Sequence, residues 1–139
     1  MRIFLYFIGK PRDTHANAMA EEFVKRSRRW ARVEMREIRP RSFDPWEKHP
    51  SATRVLLDPA GRALDAAQFT ALVERAGREA RELVFVVGAA DGAPEAWKPR
   101  ADLLLSLSRL TFPHELARVL VAEQIYRALA GIHGHPYPR

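Results

Sequence analysis

The chain has 139 residues, 47% apolar and 29% charged, with no cysteine. That suits one compact domain and excludes disulfides, thiolate metal sites and a cysteine nucleophile. The net charge is +6 and uneven: residues 1–50 carry 12 Lys and Arg against 7 Asp and Glu, the remaining 89 carry 11 against 10.

Much of the excess sits in KRSRRWAR, Lys25 to Arg32. A lopsided basic surface favours a polyanionic partner, nucleic acid first. The apolar start RIFLYFIG (Arg2–Gly9) meets Lys10, Arg12 and Asp13 at once, with no small-residue cleavage site, so it reads as a buried strand rather than a leader. No run approaches the ~20 apolar residues that cross a bilayer.

THANAMAEEFVKRSRRW follows as a helix, with Thr14 as its cap and Ala18, Glu22, Phe23, Arg26 and Trp30 at helical spacing. RVEMREI (Arg32–Ile38) alternates as a half-buried strand does. RPRSFDPWEKHPS (Arg39–Ser51), with three prolines, predicts a loop that leaves one sheet face less covered. TRVLLD (Thr53–Asp58) is a short strand, and PAGR a turn. Asp65 and Gln68 have capping-box spacing before a helix whose apolar face is Phe69, Leu72, Val73 and Ala76.

ELVFVVG (Glu82–Gly88) is the clearest buried strand. AADGAPEAWKPR is a loop with one helical turn after Pro94, and ADLLLSLS (Ala101–Ser108) another strand. PHELARVLVAEQIYRALAG (Pro113–Gly131) is the strongest helix, with Gly131 as its stop. Strands alternating with helices predict an α/β domain with a mainly parallel sheet, with no repeat and no second domain. Ligands of such sheets bind beyond the carboxyl ends of strands, here in DPAG, GAADG and SRLTFPH.

GAADG matches neither a dinucleotide fingerprint nor a P-loop, and the chain has no G-x-S-x-G. His114 falls in the first turn of the last helix, a position for a proton acceptor or for a plain capping residue. His133 and His135 make an H-x-H pair, two ligands where a metal site needs three or four, so no metal is expected. Tyr137 and Arg139 have the chemistry to stack on a base and clamp a phosphate.

The stretch from Leu105 onward is specific. SLSRLTFPH, LARVLVAEQIYRA and the closing HPYPR resemble the end of the ribosomal large-subunit pseudouridine N3-methyltransferases of the SPOUT superfamily. FLYFIGK, VLLDPAGRALD and FVVGAADG follow the same family in order, more loosely. The resemblance implies a single SPOUT domain over residues 1–139: an α/β fold with a mainly parallel sheet, helices on both faces and a C-terminal deep trefoil knot. It implies S-adenosyl-L-methionine (SAM) as cofactor, a homodimer, a cytoplasmic location, and a pseudouridine of 23S rRNA within the ribosome as target.

Carried over by position, Leu57, Gly88 and Leu107, Ser108, Arg109, Leu110, Thr111 and Phe112 would hold the cofactor. His114, Tyr137 and Arg139 fall on the candidate catalytic and RNA-contacting positions, and Glu123 on a structural one. Three departures stand out: Ala89 where the family has a second glycine, the short segment between Ile38 and Val55, and Pro138 in the tail. A non-catalytic RNA-binding module on the same fold, or a SPOUT enzyme with another RNA target, are the alternatives.

Overall fold

A computed structural model describes residues 1–137. The order is β1 (Arg2–Ile8), α1 (Thr14–Ser27), β2 (Arg32–Ile38), α2 (Pro45–Lys48), β3 (Thr53–Ala63), α3 (Ala66–Arg78), β4 (Leu83–Val87), a 3-10 turn (Glu95–Arg100), β5 (Leu103–Ser106) and α4 (His114–Ile132). The five strands form one sheet, order β2-β1-β4-β3-β5, with every pairing parallel. Each central strand is apolar on both faces because both are covered; β4 is buried at all five residues.

On one face, Ile3, Leu5, Val33, Val55, Phe85 and Leu105 pack against α1, α3 and α4. The Asp65 capping box forms as expected: Asp65 Oδ1 accepts from Gln68 N at 2.8 Å, and Gln68 Oε1 from Asp65 N at 2.9 Å. Phe69, Val73 and Ala76 are buried beneath it, with Leu72 half-buried.

The α1 stripe differs from expectation. Ala20, Val24 and Ser27 are buried, while Ala18, Glu22 and Arg26 are exposed. The small residues let α1 lie close to its neighbours, and Ser27 Oγ donates to Phe23 O at 2.8 Å, so its burial strands no polar group. Asp13, not Thr14, caps the helix, accepting from Ala16 N at 3.0 Å.

The other face carries the larger correction. Segment 39–52 is not a bare loop. Asp44 accepts from Trp46 N and Glu47 N, Pro45 occupies the first turn, and α2 forms. Trp46 is 0% exposed and donates from Nε1 to Trp97 O at 3.1 Å. With Trp97, Phe4, Tyr6, Ile38, Leu56 and Val86 it makes a second core, so this face is covered by short helical turns. The buried His49 ties the segment down: Nε2 shares a 2.6 Å hydrogen bond with the Tyr6 hydroxyl, and Nδ1 lies 2.9 Å from Glu82, which Arg2 reaches at 3.0 Å.

Replacing Asp44 by alanine is expected to cost about 1 kcal/mol, read as a lowered midpoint in thermal denaturation at neutral pH. Burial opposes ionisation of Asp44, but bonds from Arg100, Glu47 N and Trp46 N outweigh it and hold the carboxyl below its ordinary value. The parent's advantage is therefore complete above the ordinary carboxylate pKa and fades as pH falls through the lowered one.

Two glycine positions shape the rest. The expected PAGR turn lies inside β3: Leu57 and Arg62 both pair with Leu105, and residues between them bulge out. Asp58 Oδ1 accepts from Ala60 N at 2.9 Å. A Cβ on Gly61 would stand 2.4 Å from Leu104 O, so only glycine permits this crossing. At the end of α4, Gly131 is helical and Gly134, at φ +70, turns the chain instead. Gly134 N donates to Gly131 O and His135 N to Ala130 O, the paired bonds of a Schellman stop.

Candidate methyl-donor site

A cavity of about 390 Å³ opens at the bulge of β3 and the carboxyl ends of β4 and β5. That volume falls in the range of small-molecule sites. Leu57, Asp58 and Pro59 supply one wall, Val87 to Gly92 the second, and Leu105 to Ser108 with Leu110, Thr111 and Phe112 the third; His114 and Ala117 close it from α4.

Each wall has a local cause. Ser106 Oγ donates to Ser108 O at 2.8 Å and Ser108 Oγ accepts from Leu110 N at 3.0 Å, which shapes the loop between β5 and α4. In the β4 loop, Gly92 N donates to Ala89 O at 2.8 Å and Gly92 holds φ +88. Ala89 is not among the residues with positive φ, so alanine fits where the family has glycine. A Cβ on Gly88 would lie 2.6 Å from Gly92 C and 2.7 Å from Ala93 N. The backbone thus folds directly onto Gly88, leaving a mainly apolar cradle lined by leucines and main-chain groups.

The first turn of α4 has no side-chain cap. His114 is half-buried there, with Nε2 4.0 Å from where a Gly9 Cβ would sit. Glu115 accepts from Arg12 N at 2.8 Å and Asp13 N at 3.0 Å, fastening the β1–α1 loop beside His114. Those donors hold the Glu115 carboxyl below its ordinary range. Beneath it the Arg118 guanidinium is 1% exposed, 4.0 Å above the Phe7 ring and 3.8 Å from Glu115.

The structure gathers Leu57, Gly88, Leu107, Ser108, Leu110, Thr111, Phe112 and His114 around this one cavity. Arg109 is exposed and is not part of the wall. Tyr137 is also elsewhere: its hydroxyl donates to Glu123 Oε2 at 2.8 Å, and Arg127 meets the same oxygen at 2.8 Å. Glu123 lies nine residues along α4 from His114, about 14 Å at helical rise. Burial first, then the bond to Glu123, pushes the Tyr137 phenol up to about 12. Arg139 and Pro138 lie outside the described residues.

His133 stacks on Trp30 at 5.6 Å and His135 meets it edge-on at 5.5 Å, so the H-x-H pair anchors the tail to the end of α1. The residues missed from sequence are Asp58 and Lys98. Lys98 lines the cavity and pairs with Asp58 at 3.4 Å and Glu95 at 3.2 Å. The signal was present in the DPAG loop, but Lys98 is distant in sequence and only the 3-10 turn brings it over. Among the described residues, no helix is long and apolar enough to cross a membrane.

The family model described as predicted SPOUT methyltransferase matches residues 1–138. A ribosomal RNA large subunit methyltransferase H from Solibacter usitatus is 56% identical over 139 residues, covering 100% of both chains. The protein of that name from Thermus thermophilus is 39% identical over 140 residues, covering 100% of this chain and 99% of that one. Among solved structures, a probable methylase family protein from Haemophilus influenzae has a TM-score of 0.58 at 11% identity, over 99% of this chain and 70% of that one, a likeness of fold.

Proposed function

The chain belongs to the SPOUT methyltransferase family, and from that premise we propose that it methylates 23S rRNA of the ribosome, using S-adenosyl-L-methionine and acting on N3 of a pseudouridine. The observation that carries this reading is the cavity of about 390 Å³ built from the three loops of the family motif, with His114 at its rim. The names of the relatives supply the substrate class.

The residues present fit the cofactor. The cradle at Gly88 has no room for a side chain, and Leu57, Leu107 and Leu110 offer apolar faces to an adenine. When bound, S-adenosyl-L-methionine supplies a methyl group on a positively charged sulfur. The loops from Gly88 and Ser108 orient that group, and the mainly apolar wall excludes water from it. His114 is the candidate acceptor for the proton that leaves N3 of the ring. Tyr137, with its phenol pushed up to about 12, keeps its proton at neutral pH, so its role is contact with the target base. Arg139 supplies a cation for the developing ring anion.

Tyr137 is hydrogen-bonded to Glu123, about 14 Å along α4 from His114 of its own chain, which favours a homodimer in which each tail completes the partner's site. Leu116 on α4 is 40% exposed and Met19 on α1 55%, apolar surface that a second copy would cover. A cytoplasmic location goes with a ribosomal substrate.

The test is mass mapping of 23S rRNA from cells lacking this chain. One pseudouridine-containing fragment is expected to be lighter by a single methyl group, restored by the gene in trans. Unchanged fragment masses would overturn the substrate assignment.

A further inference from the structure

Charge away from the cavity is concentrated at one place. Residues 25–41 carry eight Lys and Arg against two Glu, a local excess equal to the net charge of the whole chain. They surround β2, which pairs only with β1 and so forms an edge of the sheet. Lys25, Arg28 and Arg29 lie at the end of α1, Arg32 and Arg36 on one exposed side of β2, and Arg39 and Arg41 just past its carboxyl end; all seven are exposed. Arg29 stands 4.7 Å over the Trp30 ring, on which the tail rests.

The eighth cation, Arg26, pairs with Glu22 on its own helix; the pairing of the other seven is unlike that on α3. Among the described residues none of the seven makes an ion pair. On and just past α3, by contrast, Arg75 and Arg81 pair with Glu79, and Arg78 with Glu74. A merely arginine-rich composition would leave cations equally matched on both surfaces. Six of the seven are arginines, whose planar fork suits phosphate oxygens.

Placement sets the direction. The sheet is parallel, so the carboxyl end of β2 lies at the same end of the sheet as the cavity. β2 is two strands from β4, about 10 Å. A polyanion lying along the edge would therefore reach the cavity end at Arg39 and Arg41. The edge is poorly suited to another protein strand, because Arg28 Nε already donates to Val33 O at 3.1 Å and charged side chains flank it.

We propose that the β2 edge, from Lys25 to Arg41, is a docking surface for the phosphate backbone of the substrate RNA, distinct from the methyl-donor cavity. The proposal rests on the rRNA-methyltransferase reading. It is tested with the triple variant Arg32→Gln, Arg39→Gln, Arg41→Gln, residues with no side-chain hydrogen bond among those described, against the equal control Arg75→Gln, Arg78→Gln, Arg81→Gln. Kinetics are measured on ribosomes lacking the methyl group.

The edge variant is expected to raise KM for ribosomes about tenfold with kcat and cofactor affinity unchanged. Its salt slope for ribosome binding should fall by about 2–3. The control should match the parent. A KM within twofold of the parent with a salt slope changed by less than about 1, or equal losses in both triples, would overturn the docking surface. So would loss of binding to anionic vesicles or acidic protein with ribosome binding intact. If the parent itself does not methylate ribosomes, the enzymatic reading fails, while ribosome binding by sedimentation still decides the edge.

Discussion

Gly88→Ala should weaken S-adenosyl-L-methionine binding by more than about 100-fold while the chain still unfolds cooperatively. The added Cβ would meet Gly92 C at 2.6 Å, Ala93 N at 2.7 Å and Gly92 Cα at 2.9 Å. All three are backbone atoms, so no side chain can swing away. The loop from Gly88 to Ala93 must move, and it forms one wall of the cavity. Overpacking of this kind costs about 1–3 kcal/mol, which a buried five-stranded sheet tolerates. Gly131→Ala is the control: nothing lies within 4 Å of its Cβ and it is helical, so binding should be unchanged and stability equal or better. Calorimetric titration of both variants decides the matter; parental affinity in Gly88→Ala would mean that the cofactor lies elsewhere.

Deletion of residues 136–139 should leave a folded chain with the parent's oligomeric state, whose methylation of ribosomes falls by about 100-fold or more, because the groups lost are positioning and charge-stabilising ones. The helix stop and the His133 and His135 contacts with Trp30 precede the cut, so the end of α4 keeps its fastening. Light scattering and thermal denaturation check the fold, and single-turnover methylation the chemistry. Tyr137→Phe separates the ring from the hydroxyl. Since the phenol titrates only near 12, the pH–rate profiles of parent and Tyr137→Phe should have the same shape across the neutral range. Loss in the variant of a limb in which the parent's rate rises with pH would make Tyr137 a proton acceptor after all, and full activity in the truncated chain would return the tail to a structural end.

Most of the elements were legible because their signals are local. The Asp65 to Gln68 box and the apolar run at β4 depend on neighbours a few residues away. The errors came where a distant partner decided. Segment 39–52 reads as a loop from its prolines, yet Trp46 meets Trp97, fifty-one residues on, and the pair closes the second core. Of the spacing expected for α1, Phe23 and Trp30 pack half-buried against the core, while close packing selects Ala20 and Ser27 in place of Ala18, Glu22 and Arg26. Residue order places the stop of α4 at the first glycine, Gly131, whereas the positive φ falls at Gly134.

The candidate site divides in the same way. The motif from Leu105 to His114, with Leu57 and Gly88, was readable because it is a run of residue types that local loop geometry requires. The alternation of strands and helices, the loops beyond their carboxyl ends and the basic excess after Lys25 all follow from residue order alone. Folding in three dimensions added the rest: three loops from separate strands enclose one cavity, Lys98 joins Asp58 at its wall, and Tyr137 lies on Glu123 rather than beside His114. Local preferences act over a few residues of backbone, whereas the cavity and the tail are set by long-range packing of strands and helices that the chain brings together only on folding.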